Sequence, residues 1–100
     1  MYYIKAQIIR LIDNSSYPEV VLCEFTDLNG RKHEIIEKWP VLTADEFDSK
    51  FPKTGYLGCV VAEEKTESYI VSTEIPWSIE TTEGKTIFEI SKDLLIEKEH

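Results

Sequence analysis

Apolar and β-branched residues recur along this chain in short runs of alternating character, and turn-forming residues interrupt them. Six segments read as strands: Tyr2–Ile12, Glu19–Thr26, Lys32–Lys38, Tyr56–Ala62, Ser68–Glu74 and Thr86–Ile90. Each is rich in Val, Ile, Tyr, Phe or Thr, the residues that suit a pleated, half-buried surface. The first run changes phase. Ile4, Ala6 and Ile8 alternate with Lys5 and Gln7, but after the Ile8-Ile9 pair the apolar positions are Ile9 and Leu11 around Arg10. A one-residue slip of this kind predicts a β-bulge, which bends the strand and re-aims its inward face.

Asn14-Ser15-Ser16-Tyr17-Pro18 reads as a loop, and Asn29-Gly30 inside Asp27–Gly30 predicts a hairpin, because both residues tolerate positive φ. Trp39-Pro40 ends the third strand, since proline removes a ladder donor. Beyond it, Thr43 with Glu46 has the spacing of a capping box and Leu42 with Phe47 that of a hydrophobic staple, which together predict a short helix over Thr43–Lys50. Phe51-Pro52-Lys53-Thr54-Gly55 then turns the chain. Gly58 inside the fourth strand marks a second bulge or a close approach. Ser91–Glu97 fits a short helix capped by Ser91 or a closing strand equally well.

The expected architecture is therefore one all-β domain over residues 1–97 with a 98–100 tail: a small six-stranded antiparallel barrel or strongly coiled sheet with one short helix. Bulges favour curvature, and closure hides strand edges. A two-sheet β-sandwich is the alternative. A chain of 100 residues with 42% hydrophobic positions has enough apolar material for one self-sufficient core. There is no run of about 18 apolar residues and no leader pattern at Met1–Lys5, so the expectation is a cytoplasmic protein with no membrane contact.

Nineteen acids against eleven bases give a formal charge of −8. That balance opposes nucleic acid binding, which needs Lys and Arg to neutralise phosphates, and leaves a basic protein as the readier partner. Its plainest consequence is solubility. Cys23 and Cys59 both sit inside apolar strand segments and read as small core hydrophobes rather than a disulfide or a reactive pair. A two- or four-residue hairpin loop would put Cys23 and His33 on opposite sides of the sheet, and only an odd loop with a bulge would bring them to one face. With no close ligand pair, no metal is expected. No glycine-rich phosphate loop and no nucleophile with an adjacent base are present, so neither a cofactor nor catalysis is expected. The alternative of a small thiol-dependent enzyme or ligand-binding barrel would use Cys59 and His33 with acids such as Glu34 or Glu37.

What remains is a pairing of aromatics with prolines: Tyr17-Pro18, Trp39-Pro40, Phe51-Pro52 and Pro76-Trp77. Such aromatics fill barrel ends where prolines stop strands. In the functional reading, Trp39 and Trp77 stand partly exposed as partner anchors, with Glu37, Glu74 and Glu80 as an acidic rim that steers a basic surface. Across residues 1–97, the stretches Ile36–Thr43, Tyr56–Cys59 and Ile75–Gly84 resemble segments of small bacterial β-rich proteins of about this length, some of which are immunity partners of secreted toxins. The resemblance implies structural motifs and no assigned active site. The functional expectation is a non-enzymatic protein-binding module, an immunity or adaptor protein seated on a basic partner surface, with a homo-oligomeric accessory subunit as the alternative.

Overall fold

The computed structural model describes residues 1–98. Its strands are β1 (Tyr2–Asp13), β2 (Val20–Thr26), β3 (Lys32–Lys38), β4 (Lys53–Glu64), β5 (Ser68–Ser72), β6 (Ile87–Ser91) and β7 (Leu95–Glu97). One helical turn, α1 (Trp39–Leu42), follows β3, and a 3-10 turn over Lys92–Leu94 precedes β7. Neighbouring strands run antiparallel in the order β3-β2-β1-β4-β5-β6, and β7 pairs back onto β1. The C-terminal segment is thus both a turn and a strand: Ser91 Oγ accepts from the Asp93 amide, and Leu95–Glu97 then run beside Ile4–Tyr2.

The sheet is a strongly curled half-barrel because its two longest strands are each shared between neighbours. β1 pairs with β4 over Tyr2–Ile8 on one side, and on the other with β7 over Tyr2–Ile4 and with β2 from Gln7. β4 pairs with β1 up to Cys59 and with β5 from Val60. Both bend at extra residues where the register shifts, Ile9 and Ile12 in β1 and Ala62 in β4. The Ile9 bulge is the phase change visible in the sequence, and it turns Leu11 toward the core after Ile4, Ala6 and Ile8. Gly58 carries no bulge, since the β1–β4 register runs unbroken through it.

The curl brings the sheet's ends together. The Leu28 amide donates to the Glu89 carbonyl at 2.9 Å and the Thr82 amide to the Glu34 carbonyl at 2.8 Å, tying the β2–β3 hairpin to β6 and to the turn before it. Between these ties, Phe25 and Phe88 meet edge-to-face at 5.1 Å. Ile4, Ile8, Val21, Cys23, Leu57, Val71 and Ile90 are all fully enclosed. Each large aliphatic chain so enclosed contributes roughly 1.5–3 kcal/mol.

Two expectations need correction. The helix lies at Trp39–Leu42 rather than Thr43–Lys50, and Thr43 is its C-cap, in extended conformation with its amide on the Trp39 carbonyl. Proline's fixed φ suits the first turn of a helix, so Pro40 begins this one instead of merely ending β3. The hairpin loop is odd. Asp27 and Arg31 close it at 2.9 Å, leaving Leu28, Asn29 and Gly30 between them, with Gly30 at φ +83°. Cys23 therefore pairs with Ile35 and Phe25 with His33, so Cys23 and His33 share the core face after all. Of the 98–100 tail, Glu99 and His100 lie outside the described residues, and Lys98 pairs with Met1 through its amide and carbonyl, both at 3.0 Å.

Candidate functional site

Tyr3 and Lys5 of β1 stand opposite Gly58 and Tyr56 of β4, on the sheet face away from the core. The Tyr3 and Tyr56 rings meet edge-to-face at 6.3 Å across the diagonal. Over the bare backbone of Gly58 lies the Trp77 indole, so close that a Cβ on Gly58 would fall 2.5 Å from its Cδ1 and Nε1. The close approach anticipated at Gly58 is thus to a side chain, and only glycine leaves room for it.

Trp77 is held there by a turn with a stapled base. Thr73 and Ile79 are buried, the Ile79 amide donates to the Thr73 carbonyl at 2.9 Å, and the Ser78 amide donates to Glu74 at 2.9 Å. Ser78 adopts φ +53°, a left-handed conformation costly for a side-chain-bearing residue. Ile75, Pro76 and Trp77 project from this turn, Trp77 with 51% of its surface exposed. With Pro40 and Ala44 of the α1 segment and Lys98, the three rings line an apolar groove of about 380 Å³. The Lys98 ammonium sits 3.6 Å from the Tyr56 ring centroid, a close cation–π contact.

Trp39 does not join Trp77 as an exposed anchor. It is buried at 3% exposure, its ring packs against Phe47 at 5.0 Å, and its indole N–H donates to the Asp45 carbonyl at 2.7 Å. One edge of it lines a second hollow, about 490 Å³, shared with Tyr17, Phe47, Glu19, Asp45 and Glu46. Glu74 and Glu80 flank the Trp77 turn and are exposed, whereas Glu37 is half-buried on β3, opposite Val21. None of these three lines either hollow. The carboxylates that do are Glu19, Asp45 and Glu46, the last two in the irregular segment after α1. A hydrogen bond from Lys53 at 2.9 Å, with its positive charge, holds the Asp45 carboxyl below the usual range.

Elsewhere His33, Cys23 and Cys59 are buried. His33, buried, faces Asp27 with Nε2 2.8 Å from Oδ2 and packs against the rings of both Phe25 and Phe88, at 5.2 and 4.9 Å. Its Nδ1 is buried with no hydrogen-bond partner among the described residues. Burial pushes the Asp27 carboxyl up, but hydrogen bonds from His33, Arg31 and Asn29 outweigh it and hold the group below its ordinary value. Desolvation pushes the thiols of Cys23 and Cys59 up to about 12. Neither forms a disulfide. Among the described residues no three potential ligands gather as a metal site, and no helix is long and apolar enough to cross a membrane. Comparison of the chain with family models, with curated proteins and with solved structures gives no match.

Proposed function

We propose that the protein is a non-enzymatic binding module of the immunity or adaptor kind, which holds a basic partner surface at the Trp77 groove. The observation that carries this reading is the half-exposed Trp77 ring, fixed over Gly58 beside Tyr3 and Tyr56. Large aromatics held rigid at a surface lose little freedom on binding and dominate interface energetics. The charge of −8 steers a basic partner toward the molecule. Thiols pushed up to about 12 argue against Cys59 as a nucleophile, because the thiolate is the reactive form. Unpaired cysteines also fit the reducing cytoplasm.

The test is a pull-down from native-cell extract at low and high salt, with the wild-type chain and Trp77→Ala side by side. A basic protein retained by the wild type at low salt, released by salt and lost with the variant is the expected result. Retention of no basic protein at low salt removes the support for the proposal. Self-association through Trp77, read by sedimentation, would favour the homo-oligomeric accessory subunit instead.

A further inference from the structure

The two hollows meet along one segment of chain. Pro40, Thr43 and Ala44 line both the aromatic groove under Trp77 and the acidic hollow beside Trp39. A ligand that crosses this segment meets flat rings on one side and carboxylates on the other. Asp45 is already matched by Lys53, while Glu19 and Glu46 enter no ion pair among the described residues. The groove therefore suits an apolar, flat-faced group, and the hollow next to it a cation.

We infer that the occupant is an extended, proline-containing segment of the partner carrying a Lys or Arg a few residues from its prolines, an inference that rests on the binding-module reading above. The prolines pack on the exposed Trp77 ring, and the basic side chain enters the hollow at Glu19 and Glu46. A polyproline II segment is extended before it binds, so little ordering opposes its docking, and its pyrrolidine rings suit aromatic-lined slots. Its backbone makes no internal hydrogen bonds and needs donors; the Lys98 side chain at the groove supplies one. The same rings could stack nucleobases, but the neighbouring carboxylates and the charge of −8 repel phosphates.

The full chain is titrated at low salt with synthetic decapeptides while tryptophan emission is followed. Since Trp39 is buried, a blue shift reports on Trp77. One peptide set carries prolines and a single Arg at varied spacing, a second replaces the Arg by Glu, and a third keeps the Arg but replaces the prolines by Ser. Saturable binding is expected from at least one member of the first set, with the other two sets weaker by about tenfold or more. Trp77→Ala abolishes the binding. Glu19→Gln combined with Glu46→Gln, which replaces no core residue and keeps each side chain's size, keeps the fold and removes the preference for Arg over Glu. The inference is overturned if no member of the first set saturates, if the proline-free peptides bind equally well, or if self-association covers Trp77. Should the peptides fail while a basic folded protein is still retained through Trp77, the binding-module reading stands and the proline-segment inference alone falls.

Discussion

At the scale of single residues, Gly58 and Asp27 each hold a feature that no neighbour could replace. Gly58→Ala puts a Cβ against the Trp77 ring and forces the indole off the sheet. The expected cost is about 1–3 kcal/mol in urea unfolding, with a red-shifted emission as the ring becomes wetter. A variant as stable as the wild type, with unchanged emission, would show that Trp77 does not rest there. Asp27 serves both the turn and His33: Oδ1 accepts from the amides of Asn29 and Arg31, and Oδ2 faces His33 Nε2. Removing it leaves a buried imidazole N–H without an acceptor, so Asp27→Ala should lose about 2–3 kcal/mol at neutral pH. Because its folded pKa lies below the ordinary 3.8, the carboxylate's contribution is complete above that value and disappears as pH falls through the folded value. The gap between wild type and Asp27→Ala should therefore close in acid; a gap constant down to about pH 2 would contradict this.

At the scale of elements, α1 separates the two tryptophans in kind. The turn begins on Trp39, whose ring is enclosed and whose N–H is satisfied by the backbone of the loop that follows. Trp39→Ala is expected to cost about 3–5 kcal/mol, as for a large ring taken from a core, and to release the 43–50 segment. Trp77→Ala removes a ring that is 51% exposed and should cost about 1–2 kcal/mol while partner binding falls by ~2 kcal/mol or more. Thermal melts of the two variants in parallel distinguish them. Equal destabilisation would mean that Trp77 belongs to the core and offers no anchor.

At the scale of the whole molecule, closure of the curled sheet is what hides the thiols. Cys23 lies between β1 and β3, and Cys59 sits in β4 where β7 joins β1 beside it. Both are essentially unexposed, and both thiols are pushed up to about 12 by desolvation. Thiol reagent should therefore label neither cysteine in the folded state at neutral pH and both rapidly in denaturant. Fast labelling of Cys59 alone under native conditions would show that its part of β4 opens independently of the rest.

Strands, the bulge at Ile9 and the hairpin at Gly30 were legible in the sequence because they depend on neighbours a few positions away: side-chain alternation, a slip in that alternation, and a residue that tolerates positive φ. The same local physics misplaced the helix, since Thr43–Phe47 carries the spacing of a cap but the Pro40 start, one turn earlier, buries Trp39 and Leu42 against β4. Hairpin parity also escaped, as Asn29-Gly30 serves two-residue and three-residue loops alike, and one residue decides which face His33 takes. Trp77 was singled out in the sequence as a candidate anchor, but its partners were not. Tyr3, Tyr56 and Gly58 reach it only through the register of β1 on β4, and the carboxylates at the adjoining hollow come from loops far apart in the chain. Local pattern determined which segments are strands; only the curl of the sheet, a sum of long-range pairings, decided which aromatic ring is enclosed and which stands at the surface.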